Sequence, residues 1–425
     1  MPAPPEHAVA ESHIIARVHA SVLDVDPQAW NALLAQQAHA TPFMRHEYLA
    51  ALETSDSATP RTGWTPRFLT LWDAGVLVAA CPLYLKSHSY GEYVFDWAWA
   101  SAYEQHGVPY YPKALVAVPF TPVPGSRLLA RDATARAQLV QTARQWCMEE
   151  DISSLHLLFA AAEDIATCAD QGLMLRHTVQ FHWQNMAPVA PVVSSEATAE
   201  WLAMPNRFTS FDDFLASLTQ EKRKKIKQER RRVADAGVTF RCLQGKAIST
   251  GDWDFFYRCY ERTYLEHGNA PYLTRAFFAD MARTMPEAWV LFIAERDGQP
   301  IASSLIAISA CPASATGQKD TEIIAYGRYW GALERVDCLH FEACYYQPLQ
   351  WCIEHGVHRF EGGAQGEHKM ARALLPVQTS SAHWLAHPAF ADAVERFLER
   401  EGQGVDAYLQ SLHERAPFRK TQNPP

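Results

Sequence analysis

Internal repetition limits the fold of this chain more than any other feature. Three elements occur twice, in the same order. The first is a loop leading into an amphipathic helix, at residues 40–52 and again at 269–281. Aligning Pro42 with Pro271 places Phe43 on Tyr272 and Tyr48 on Phe277. An apolar hairpin follows. Residues 68–72 turn at Asp73, Ala74 and Gly75 into 76–85, and residues 290–294 turn at Asp297 and Gly298 into 301–308. Aspartate and glycine between two apolar runs suit a tight turn that needs positive φ. The third element is a helix and then a strand, 139–149 before 154–159 and 344–354 before 358–361. Both helices carry Gln-Trp-Cys-x-Glu, starting at Gln145 and at Gln350. This shared order predicts a tandem pair of one α/β domain, with connecting loops of unequal length.

Each copy reads helix, hairpin, further strand, helix, strand. The further strand is expected at 114–118 and at 322–330. An antiparallel meander ending in a βαβ crossover requires a mixed sheet covered by helices. The expected division is a first domain at 13–190, a basic linker helix at 206–235, a second domain at 236–390 and C-terminal helices at 391–415. The boundary falls in the Pro- and Ser-containing residues 187–196. At about 150 residues per domain, 425 residues accommodate this plan. Neither Gly-x-Gly-x-x-Gly nor a phosphate-loop lysine motif occurs, so a doubly wound nucleotide fold is excluded.

None of the nine cysteines forms Cys-x-x-Cys, which argues against a zinc site or a disulfide framework. Buried thiols in a reducing cytoplasm are expected instead. The longest uncharged run, residues 298–318, is interrupted by Pro300 and Pro312, so no stable membrane insertion is expected. The N-terminus lacks the basic start and apolar run of a secretory signal.

The net charge of −9 conceals an asymmetry. Residues 222–232 hold eight Lys or Arg and one Glu. Phe211, Leu215, Leu218, Ile226 and Val233 fall near one helical face beside this charge. A solvated linker helix accounts for the pattern. A surface for tRNA or another phosphate-bearing ligand, touched by Lys222 and Lys225, accounts for it equally. Membrane-surface attachment is the weakest reading, because the apolar face is modest and lacks Trp.

Several segments resemble the FemAB-like branch of the GNAT acyltransferase superfamily. They are residues 93–100, 110–122, 180–183, 222–233, 326–331, 339–342 and 360–369, within a span from about 20 to 385. The resemblance implies two tandem GNAT-like domains, an α/β (α+β) mixed sheet, and transfer of an acyl or aminoacyl group to an amine. The acceptor would be the amine of a small molecule or peptide. The donor would be acyl-CoA, as in ordinary GNAT enzymes, or aminoacyl-tRNA, as in the better-known FemAB relatives. It would act as a co-substrate, with no tightly bound cofactor. The GNAT donor signature, Arg/Gln-x-x-Gly-x-Gly/Ala, is matched by Arg328 and Gly331 but ends in Leu333. A non-catalytic GNAT-fold protein that binds an anionic ligand is the alternative.

For amine acylation the richest segment is 360–369. Gly362, Gly363 and Gly366 directly follow a strand, where positive φ and close backbone approach to a ligand are possible. Glu361, Glu367 and His368 are candidate bases for the ammonium proton. Gln365 and Lys369 are candidate substrate contacts, with Lys369 placed to hold an acidic group. Tyr326, Arg328 and Gly331 precede a helix start and are candidate donor contacts. Arg328, on an apolar strand, requires either Glu342 or an anion of the substrate. His340 and Glu342 lie two residues apart, so at most one faces the site. In the first copy, Glu104, Tyr110, Tyr111 and Lys113 belong to a long aromatic loop expected to touch substrate. His182 reads more readily as a structural histidine than as a base. The ligand spacing suits no metal, and neither a Gly-x-Ser-x-Gly elbow nor an activated cysteine suggests an acyl-enzyme. The second copy is therefore expected to be catalytic and the first to supply substrate contacts.

Overall fold

The computed structural model describes residues 14–186, 207–311, 322–364 and 366–419. The first copy begins β1 (Ile14–His19), α1 (Pro27–Leu34), α2 (His46–Thr54), β2 (Trp64–Pro66), β3 (Phe68–Asp73), β4 (Val76–Cys81) and β5 (Leu83–Lys86). It continues α3 (Trp97–Gln105), β6 (Lys113–Val116), β7 (Leu129–Ala130), α4 (Ala133–Glu149), β8 (Ser154–Ala160), α5 (Ala162–Asp170) and β9 (Met174–Gln184). Two helices follow, α6 (Phe211–Ser217) and α7 (Gln220–Asp235). The second copy begins β10 (Val238–Gln244), α8 (Thr250–Glu266), α9 (Arg275–Thr284), β11 (Trp289–Arg296), β12 (Gln299–Cys311) and β13 (Glu322–Ala332). It ends α10 (Leu339–Phe341), α11 (Gln347–Glu354), β14 (Arg359–Ala364), β15 (Leu375–Leu385) and α12 (Pro388–Glu414).

Local chemistry explains several boundaries. Asp132 caps α4 through the Ala135 amide at 2.8 Å, and Ser249 with Asp252 forms a capping box on α8. Residues 76–85, expected as one strand, divide at Pro82, which has no N–H for the ladder. The chain changes sheets there: β4 pairs with β3, whereas β5 pairs with β6. The single basic helix expected at 206–235 is two helices, because Leu218 adopts an extended conformation (ψ 159°) between them. The expected C-terminal helices are one, α12, which lies on β9 and β15. The expected boundary at 187–196 lies outside the described residues.

β1, β3, β4 and β7 form a small sheet in the order β1-β3-β4-β7. The large sheet runs β10-β11-β12-β13-β14-β9-β15-β8-β6-β5-β2. Its two parallel pairs are β6 with β8 and β13 with β14. Helix α4 crosses over the first and α11 the second, so the two Gln-Trp-Cys helices occupy equivalent places. In each, the glutamine donates to the glutamate one turn on at 2.9 Å, and the cysteine is fully buried.

The copies also exchange strands. β9 ends the first copy yet pairs with β14, and β15 ends the second copy yet pairs with β8. β9 and β15 pair antiparallel with each other, Thr178 opposite Thr379. One continuous sheet therefore runs through both halves. On one face of it α2 and α9 pack together in the core, with the Tyr48 ring edge-on to Phe277.

Candidate active site

β13 and β14 stay paired for three steps, Ile324 with Arg359, Ala325 with Phe360 and Tyr326 with Glu361, and then part. Two devices separate them. On β13, Leu305 of β12 faces Tyr329 and Ile306 faces Gly327, so Arg328 is the extra residue of a bulge. On β14, Gly363 turns the backbone through a φ of +78°. The gap holds a cleft of about 360 Å³. Arg328, Tyr329, Gly362, Gly363, His368 and Lys369 line it from the second copy, and Tyr93, Phe120 and Pro122 reach in from the first.

The far wall is a π-helical turn, Glu342–Tyr346, between α10 and α11. The Gln347 amide bonds to the Glu342 carbonyl, five residues back. The next carbonyl, Ala343, would need the amide of residue 348, which is a proline and has none. The Ser304 hydroxyl, from β12, donates to that carbonyl instead. The wider turn sets His340, Cys344 and Tyr345 on the cleft. Glu342 points away and is bound by Arg230 of α7 through Nε at 3.1 Å.

Burial tunes these groups. It lowers His340 to about 4, helped by the charges of nearby His368, Arg372 and Lys369. Burial also lowers His368, so both imidazoles are neutral at pH 7. The His368 Nε2 lies 3.2 Å from the Tyr345 hydroxyl. Desolvation brings Lys369 down to about 8, and its Nζ donates to the Gly363 carbonyl at 2.9 Å. Burial pushes the Cys344 thiol up, out of nucleophilic range. Arg328 stacks on Phe43 and Tyr329 at 4.9 Å each and donates to the Phe120 carbonyl at 3.1 Å. Desolvation opposes its charge, but the oxygens of Tyr329 and Tyr48 outweigh it and raise its pKa. Among the described residues, no carboxylate lines this cleft. Nor is any group of three His, Cys, Asp or Glu among them placed to hold a metal ion.

The sequence profile of the FemAB-like family, described as peptidoglycan biosynthesis/recognition, matches residues 21–420. The chain belongs to the FemAB-like family. It is accordingly an acyltransferase. No curated protein matches it. Among solved structures, FemX superposes with a TM-score of 0.50 at 10% identity, over 87% of this chain and 98% of that one. The C-terminal domain of a putative lysylphosphatidylglycerol synthetase from Agrobacterium fabrum also gives 0.50 at 10% identity, over 88% and 96%. These likenesses establish the fold.

The FemAB-like cleft gathers some expected site residues and disperses others. Arg328, Gly362, Gly363, His368 and Lys369 meet in it. Gly366, at a φ of +106°, lets the His368 ring fold back; a Cβ there would come within 2.5 Å of that ring. Glu361 and Tyr326 line a different cavity. Glu367 is exposed and accepts from the Tyr408 hydroxyl at 2.7 Å. Gln365 lies outside the described residues. In the first copy, Lys113 is fully buried between Glu92 and Asp96, so its charge is matched inside the protein. Tyr110 donates to Asp96 at 2.6 Å, Tyr111 bonds Ser89 at 2.8 Å, and Glu104 is exposed at the end of α3. None of these four lines the cleft.

Gly331 has a different task from the one its motif suggested. The run 328–332 is strand rather than the turn before a helix. A Cβ on Gly331 would lie 1.9 Å from the Cys259 carbonyl oxygen, so the glycine lets α8 lie against β13. The segment that does precede α10 contains Glu334 and Asp337, and α10 opens at Cys338 without a side-chain cap.

The basic helix is built into the site. Glu229 of α7 is buried and accepts from Arg372 at 2.9 Å and from the Tyr346 hydroxyl. Arg372 also donates to the His368 carbonyl at 2.7 Å. Helix α7 thus braces both the π-turn and the 3-10 segment Glu367–Arg372 that carries His368. Lys225 is exposed with Lys224, Lys227, Arg231 and Arg232, while Lys222 is half-buried beside Glu221. Sequence reasoning missed Tyr93, Phe120, Cys344, Tyr345 and the bracing role of Arg372. Pro348 was the available signal for the irregular turn.

Proposed function

We propose that this FemAB-like acyltransferase moves an aminoacyl group from aminoacyl-tRNA to the amine of a small molecule or peptide, in the cleft between β13 and β14. The observation that carries this reading is the company of two neutral imidazoles with Lys369 and Arg328 in a cleft that, among the described residues, has no carboxylate. A neutral His368 takes the proton that the acceptor ammonium must lose. The freed amine attacks the ester carbonyl, and the Lys369 ammonium stabilises the oxyanion. The carbon–oxygen bond to the tRNA ribose then breaks, His368 returns its proton to the ribose oxygen, and the second proton of the former ammonium leaves the new amide nitrogen to solvent. The family's description points to a peptidoglycan-precursor type of acceptor.

Two features favour tRNA over acyl-CoA. At the start of α10 the Leu339 and Phe341 amides already donate to the Val336 and Cys338 carbonyls, which leaves a GNAT donor's diphosphate fewer free amides there. The exposed cations of α7 lie beside the bracing contacts and suit a phosphate backbone. This reading places the reaction in the cytoplasm, in the second copy (236–390), with the first copy (13–190) closing the cleft.

A transfer assay tests it, with bulk charged tRNA carrying labelled amino acids and a lysine-containing peptide as acceptor. Amide product is expected, reduced roughly 10²-fold or more in kcat by His368→Ala. The triple variant Lys224→Glu, Lys225→Glu, Lys227→Glu is expected to raise KM for tRNA. Product from acetyl-CoA and none from charged tRNA overturns the donor. An unimpaired His368→Ala overturns the base.

A further inference from the structure

A second cavity, of about 500 Å³, lies between the copies and shares no lining residue with the cleft. Its floor is formed by β14, β9 and β15, and α5 forms one wall. Glu361 faces it, 4% exposed. The Arg359 Nε donates to Glu361 Oε1 at 3.1 Å, whereas Oε2 has no hydrogen-bond partner among the described residues. His182 Nε2 is 4.0 Å from Oε2 and held neutral by burial, at about 3, while the buried Arg127 guanidinium acts on Glu361 through space without a hydrogen bond to it. Arg359 is shared with Glu322 at 3.6 Å, and burial lifts the Glu361 carboxyl to about 7. A buried carboxylate oxygen without a donor costs roughly 1–3 kcal/mol.

The opposite polarity is supplied by α5. Its N-cap, Ala161, has no side chain to cap the first-turn amides, and Ala161 and Ala162 both line the cavity. Those amides present the positive end of the helix. Of the nearby charges, Asp164 is occupied by the Arg127 and Leu128 amides, and Glu163 lies 3.7 Å from His39. Ile165, Ala166 and Val377 give the space an apolar side.

We infer that this cavity binds a small zwitterion of the α-amino acid type. Its ammonium pairs with the Glu361 carboxylate, its carboxylate rests on the first-turn amides of α5, and its side chain lies against Ile165 and Ala166. This binding is separate from the reaction assigned to the cleft.

Thermal shift and calorimetry on the full chain test it, with millimolar L-alanine, L-lysine, L-alanyl-L-alanine, ethylamine and acetate as probes. An amino acid or the dipeptide is expected to raise Tm by a few degrees, with neither half-ligand doing so. The dipeptide alone acting assigns a peptide end as the source of the same chemistry. Glu361→Gln and Ala166→Trp are each expected to abolish the shift, and His368→Ala to retain it. Ala166 is exposed on α5, so that variant serves even where Glu361→Gln fails to fold. No shift from any zwitterion overturns the inference, and so does a shift that survives both variants. Loss of the shift in His368→Ala moves the ligand to the cleft and leaves the transfer proposal standing.

Discussion

Tyr48 and Phe277 hold aligned positions in the two copies, and their rings meet edge-on at 5.2 Å in the core. Residues related by the repeat can touch only near an axis that exchanges the halves. The bond between Thr178 and Thr379 at 2.8 Å, where β9 meets β15, lies on the same relation. Phe277→Ala removes a fully buried ring at this junction and is expected to cost about 3–5 kcal/mol. Urea denaturation checks this, and a loss below about 1 kcal/mol contradicts a packed junction.

Catalysis should show a two-sided pH profile. His368, lowered by burial, must be neutral to accept a proton, so kcat/KM rises as pH climbs through the acid range toward 7. Lys369, near 8, must be charged, so the rate falls above about 8. Lys369→Arg keeps its charge and is expected to move the alkaline limb upward. An alkaline limb that stays in place removes Lys369 from the oxyanion role.

Stability should fall in acid for a separate reason. His156 and His383 face each other across β8 and β15 with Nδ1 atoms 2.7 Å apart. Burial holds His156 near 3 and His383 well below its usual value. Below pH 6.5 the unfolded chain binds protons that the folded chain refuses, so stability is present above 6.5 and lost as pH drops. Each ring contributes on the order of 1.4 kcal/mol per pH unit in that window. His383→Gln is expected to make the slope of unfolding free energy against pH shallower. An unchanged slope disproves the linkage.

Gly331→Ala forces a methyl group toward the Cys259 carbonyl at 1.9 Å. Helix α8 must shift, at an expected cost of about 1–3 kcal/mol. A mutant as stable as the parent shows that the helix is not seated there.

Glu229→Ala leaves Arg372 buried without its carboxylate and is expected to cost about 3–5 kcal/mol. Glu229→Gln keeps the shape and tests positioning. Its acid pH limb for kcat should shift, because Arg372 also holds the His368 carbonyl. A uniform loss of active protein with an unmoved limb marks a merely structural brace.

The duplication was legible because hairpins and amphipathic helices declare themselves in local periodicity, and Gln145 and Gln350 mark equivalent crossovers. The strand exchange was not, because nothing in the composition of β9 says whether its neighbour is β8 or β14. His368, Lys369 and Arg328 could be picked out by residue type near glycines. Glu361, on the same run, could not be separated from them until strand alternation sent it to the opposite side. Lys113 misled for a plain reason: a lysine among aromatics looks like a substrate contact until Glu92 and Asp96 are seen beside it.

The way β9 and β15 trade places bears on origins. A lone half would end in a strand with no sheet of its own to join, whereas two identical halves could satisfy each other by swapping tails. The ancestor implied by this architecture is a domain-swapped homodimer. Gene fusion then tied its subunits together, and each half still lends its last strand to the other.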